Sequence, residues 1–133
     1  MSDKHEQDLN AISGPLGSCY LVIAKVCAHL PIPIELPVGI VLDSAVAVPA
    51  VVRVTELIQD QPVDEEVQSA LFSACLFWLA SVKLFSRFTA IKDDPTAGVE
   101  IELILLVASD ALSVAIDGLR EEESPEEEGD DKE

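Results

Sequence analysis

The chain has 133 residues and a formal net charge of −17, with 49% hydrophobic residues but only 5% aromatic ones. That length supports one domain with tails, and one core. The acidic balance argues against nucleic-acid binding, where a basic face supplies most of the affinity, and against anionic membrane surfaces.

The apolar mass is aliphatic, and a mean hydropathy of +0.32 is high for a small soluble chain. Some of it is expected to be covered by a second copy, a partner or a membrane. Charge is unevenly spread: residues 121–133 hold nine acids and one lysine, a net of −8, which leaves −9 for the other 120. The cysteines, Cys19, Cys27 and Cys75, are odd in number, form no CxxC and sit in apolar runs. That pattern reads as buried free thiols in a reducing compartment. The first ten residues are polar and carry acids, unlike a secretory signal or an Arg-rich transit peptide. A cytoplasmic, intracellular protein is expected.

In chain order, residues 2–12 read as a short helix capped by Ser2 or Asp3, with Leu9 and Ile12 as its apolar edge, and broken at Gly14-Pro15. Residues 16–30 form a better helix: Leu16, Tyr20, Ile23 and Cys27 share one face, flanked by Cys19, Val22 and Val26. His29 falls in its last turn, where a cation suits the dipole, and Pro31 stops it. The run PIPIELP, 31–37, is an extended connector with Ile32, Ile34 and Leu36 ready to pack inward, or alternatively a PxxP-type ligand.

Residues 38–60 are Val-rich, which favours strand, but too long for one strand, and Ala45, Ala47 and Ala50 favour helix. The reading is a helix over 38–59 bent near Pro49, with a β-hairpin as the alternative. The next helix, over 64–89, opens on Asp64, Glu65 and Glu66 and closes on Lys83 and Arg87, as its dipole prefers. Between Ala70 and Val82 only Ser73 and Ser81 are polar, so this helix has almost no wet face through its middle. After a short loop, Asp94-Pro95-Thr96 starts a last helix that runs to about residue 122. Its LILLVA segment, 103–108, is apolar on every side and is expected to be enclosed; past it Asp110, Ser113, Asp117 and Arg120 form a wet stripe.

These elements predict an all-α fold: a compact bundle of four main helices, the third helix (counting the short N-terminal one) bent near Pro49. The divisions are a polar N-terminal segment 1–15, a helical bundle 16–121 and a disordered acidic tail 122–133. The last two helices should lie antiparallel, bringing Arg87 near Glu100 or Glu102 as an ion pair. Small residues on both, Ala70, Ala74 and Ser81 against Ala108, Ala111 and Ala115, allow close approach.

Chemistry is sparse. His5 and His29 lack partners at metal-ligand spacing. Cys19 and Cys27, about 80° apart around a helix, read as core thiols without a partner base. Gly14-Pro15-Leu16-Gly17-Ser18 lacks a P-loop lysine, and no Glu-x-x-His supports a di-iron centre. Asp43 and Arg53 stand alone in apolar runs as candidate buried polar groups. No catalytic, cofactor or metal residue is assigned. The expected function is a non-enzymatic interaction or assembly protein, a homo-oligomer or the binder of a protein partner. Its candidate interface is Leu71, Phe72, Cys75, Trp78, Leu79, Leu103, Leu105 and Leu106, and its acidic tail is free to contact a basic protein. The alternatives are a membrane- or lipid-associated helical protein, since 67–85 approaches the length of a span, and a small ligand-binding helical domain at Asp43, Arg53 and the cysteines.

Overall fold

The computed structural model describes the backbone of residues 2–38, 44–90 and 97–123, and the side chains of 14–38, 44–87 and 98–121. Four helices account for most of it: α1 (Ser2–Ala28), α2 (Ser44–Leu57), α3 (Glu65–Ala90) and α4 (Ala97–Glu123), with a single 3-10 turn, Ile58–Asp60, after α2. The all-α bundle is as the pattern predicts, and there is no strand among the described residues, so the hairpin alternative for 38–60 is set aside.

Two helices differ from expectation. The helix over 2–12 does not stop at Gly14-Pro15; α1 runs through Pro15 to Ala28. Gly14 and Pro15 are both exposed, and nothing lies within 4 Å of where a side chain on Gly14 would begin. On the solvent side, a carbonyl deprived of its N–H partner by proline can be hydrated, so the helix survives. The helix expected from residue 38 starts at Ser44 instead; 39–43, including Asp43, lie outside the described residues. It continues past Pro49, whose ring is exposed. Residues 91–96 and the tail from 124 onward also lie outside the described residues.

The packing follows from the apolar spacing. On α4 the buried residues are Ile101, Leu105, Ala108, Leu112, Ala115 and Leu119, spaced alternately four and three apart. On α3 the matching series is Val67, Leu71, Ala74, Trp78 and Ser81. This is the narrow seam of coiled-coil packing. Val67, at the start of α3, meets Gly118, near the end of α4, so the two helices are antiparallel. Counting in opposite directions from that contact sets Leu71 level with Val114, Ala74 with Ala111, Trp78 with Val107 and Ser81 with Ile104, so the buried residues nearest to them across the seam, each one position on, are Ala115, Leu112, Ala108 and Leu105. Bulky residues thus alternate with small ones across the seam, which lets the backbones approach. These two helices form the most extensive pairing in the molecule; α1 packs on both, and α2 packs on α3.

α1 is anchored to this pair by its own buried face, Leu16, Cys19, Tyr20, Ile23, Val26 and Cys27. The indole N–H of Trp78 donates to the Leu16 carbonyl at 2.9 Å, and the Trp78 ring lies 5.3 Å from that of Tyr20, tilted by 40°. Tyr20 in turn donates its hydroxyl proton to the Pro37 carbonyl at 2.6 Å. The connector 31–37 is thereby held down at one end. Ile34 and Leu36 are buried as expected, but Ile32 is exposed.

Candidate functional site

Cys19, Cys27 and Cys75 are free and buried. Burial pushes the Cys19 thiol up to about 11 and the Cys27 thiol up to about 12. Cys75 is pushed up by burial first and then by its neighbours Cys27 and Cys19. A nucleophilic cysteine needs the opposite shift, since the thiolate is the reactive form. These are core thiols. Among the described residues no group of three His, Cys, Asp or Glu side chains could hold a metal ion.

His29 sits just past the end of α1, its ring Nδ1 2.8 Å from the Lys25 carbonyl. That geometry satisfies one of the last carbonyls of the helix and agrees with a helix-end role. Arg53, read from sequence as a buried polar residue, is exposed. It falls on the solvent side of α2, whose buried face is Ala47, Val51 and Val54. The polar residues that are buried are Gln61 and Ser81. Ser81 donates to the Phe77 carbonyl at 2.9 Å, a one-turn back-bond within α3. Arg87, Glu100 and Glu102 are all exposed, at the ends of α3 and α4 nearest the loop.

The expected interface residues divide sharply. Leu71, Cys75 and Trp78 are fully buried, and Leu105 is 5% exposed. They belong to the core, because the α3–α4 seam and α1 consume them. Phe72 and Leu79 are half-buried. Leu103 and Leu106, by contrast, are 57% and 59% exposed. The LILLVA segment is therefore not enclosed by the chain itself. Only Leu105 and Ala108 are buried there, because a straight helix turns the intervening residues away from a two-per-heptad seam.

The helix turn of 100° per residue orients the uncovered surface. On α3, Gln68 points toward the end of α2, donating to the Gln61 carbonyl at 2.9 Å. The opposite flank, with Ala70, Phe77 and Leu84, borders α4. Beyond it the strip Ser73, Leu76 and Ala80 faces away from α1. On α4, Gly118 and Ala111 border α3, and beyond them Leu103, Val107 and Val114 continue the same surface. Leu76, Val107 and Val114 are all exposed, and Phe77, Ala80 and Leu84 are half-buried. The outer side of the α3–α4 pair is thus a largely apolar face, edged by exposed Lys83 on α3 and by exposed Glu100 and Asp110 on α4. Sequence showed that these helices were too apolar to stand in water. Which residues remain uncovered depends on the seam register, and that needed the structure.

Within α3, the segment Glu65–Arg87 is long and apolar enough to cross a membrane by length and composition. Comparison with protein-family models, with curated proteins and with solved structures found no match.

Proposed function

We propose that the protein is a non-enzymatic, intracellular interaction module that binds another protein surface through the outer face of α3 and α4. The observation that carries this reading is the exposure of Leu76, Leu103, Val107 and Val114 beside the buried α3–α4 seam. Apolar side chains grouped on one side of a small acidic protein favour an interaction site over scattered surface residues. Three buried, protonated thiols accord with a reducing compartment. The acidic stretch after α4 serves solubility, with docking to a basic protein as its further use.

The test is site-specific photo-crosslinking in the cells that make the protein. A photoreactive residue at Leu103 is expected to capture protein, while one at Glu102, which lies outside this face, captures far less. Equal capture from both positions would count against the proposal. A second reading is favoured by the span-length segment in α3: the same face lies on or in lipid. Capture of lipid alone from Leu103 and Leu76 would replace the first reading with this one. Against lipid stand the charges of Lys83 and Arg87 within α3 and of Glu100, Glu102, Asp110 and Asp117 along α4.

A further inference from the structure

We propose that the surface covering the outer face of α3 is the same face of a second copy, with the two α3 helices antiparallel. This rests on the interaction reading above and names its partner. The argument starts from the distribution of charge along the face. Exposed Glu66 stands at the α2 end of α3 and exposed Arg87 at the loop end. They are separated by about 32 Å of helix at about 1.5 Å per residue. Between them the strip toward α4 holds Ser69, Ser73, Leu76, Phe77, Ala80 and Leu84, and the charge beside it, exposed Lys83, stands one turn before Arg87 and adds to the cationic end. A face with an anion at one end, a cation at the other and an apolar middle is complementary to itself when reversed. That is the requirement of a two-fold, isologous contact.

The register follows from matching the charges. When Glu66 of one copy lies opposite Arg87 of the second, Leu76 lies opposite Phe77 of the second copy, and Ser73 lies opposite Ala80. The two-fold axis passes between Leu76 and Phe77. Large side chains meet at the centre, and small ones one turn to either side let the backbones close in, the same alternation that α3 uses against α4. A parallel arrangement would set Glu66 against Glu66 and Arg87 against Arg87, and is disfavoured by like charge at both ends.

The size is also sufficient. Two helices side by side over the length of Glu65–Arg87 present a face of roughly 34 Å by 20 Å. That is about 700 Å² per copy, close to the roughly 800 Å² per partner of a standard stable interface. Val107 and Val114 on α4 extend the contact beyond the α3 strip, with exposed Asp110 between them at its rim.

The experiment is a charge exchange read by sedimentation equilibrium and by light scattering after size exclusion, on the full chain without detergent. The wild-type chain is expected to form a concentration-dependent dimer. Arg87→Glu and Glu66→Arg alone should each weaken it by about tenfold, since the two-fold axis repeats every altered pair. The double variant Arg87→Glu with Glu66→Arg should return within about threefold of wild type, because the pairs are re-formed with exchanged sign. Both positions are exposed, and far-UV circular dichroism of each variant should match wild type. A chain that stays monomeric at all concentrations overturns the proposal. So does a dimer indifferent to the single exchanges, which places its interface elsewhere. A monomer whose Leu103 still cross-links to a different protein overturns the second-copy assignment and leaves the interaction reading standing; a monomer with no protein cross-link removes both.

Discussion

Gln61 and Ile32 are joined by two hydrogen bonds that close a ring. The Ile32 N–H donates to the Gln61 Oε1 at 3.1 Å, and the Gln61 Nε2 donates to the Ile32 carbonyl at 2.6 Å. A side-chain amide here replaces the strand that would otherwise satisfy the backbone of a proline-rich connector. Gln61 is itself buried, and its own carbonyl accepts from Gln68. Gln61→Leu should lower stability by about 1–3 kcal/mol, because both Ile32 groups lose their partner at once. Gln61→Glu should cost more, since it sets a buried carboxylate against the Ile32 carbonyl. Urea unfolding followed by circular dichroism measures both. A loss within error of zero for both variants would refute the clamp.

Trp78 is the sole tryptophan and is fully buried, so its fluorescence reports directly on the seam. Trp78→Phe keeps a ring in the core but leaves the Leu16 carbonyl without its indole donor. A loss of roughly 1–3 kcal/mol is expected from the lost hydrogen bond and the reduced volume. Trp78→Ala should cost more, about 3–5 kcal/mol. Because Trp78 is the fluorophore that is removed, chemical denaturation of these variants must be read by circular dichroism.

Gly118 is required by contact. A Cβ at this position would overlap the Cγ2 methyl of Val67, and Val67 is stiff about χ1 and buried. Gly118→Ala would gain up to about 1 kcal/mol of helix propensity, yet overpacking costs about 1–3 kcal/mol. The net effect expected is destabilisation. Val67→Ala in the same chain should recover part of it, so the double-mutant cycle should show coupling of about 1 kcal/mol or more. Additive effects would mean that the two residues do not meet.

The thiols set an alkaline limit. Their pKa values are raised on folding, from an ordinary 9.0 to about 11 for Cys19 and about 12 for Cys27. The stabilising contribution is therefore complete below pH 9. It declines as the pH rises through 11 and 12, because the unfolded chain releases these protons first. Unfolding free energy should fall steadily above pH 9, and replacing the three cysteines by alanine should flatten that fall. In the native state at pH 8 the thiols should react with a disulfide reagent far more slowly than in urea. Rapid native labelling would contradict their burial.

Much of the architecture was legible because seam residues repeat at helical spacing. Leu71, Trp78 and Leu105 could be recognised as apolar anchors from sequence. Their role could not: the same residues serve a dimer interface or a monomer core, and only the register fixed by Val67 and Gly118 decides between them. Pro15 misled because its ring disfavours helix interiors, yet here it faces solvent. Gln61 gave no signal, since its importance comes from a contact with a residue 29 positions away. Arg53 looked isolated among valines, but the turn of α2 carries it outward while Val51 and Val54 turn in.

The bond from Trp78 to Leu16 spans 62 residues, and this has a consequence for biosynthesis. On the ribosome, the N-terminal helix emerges long before the segment that shields it. Tyr20, Ile23 and Cys27 must wait, uncovered, until more than half of the chain has been translated. Nascent chains of this protein therefore pass through a greasy, half-made intermediate, and a holding chaperone should engage them before residue 78 leaves the exit tunnel and release them after it does.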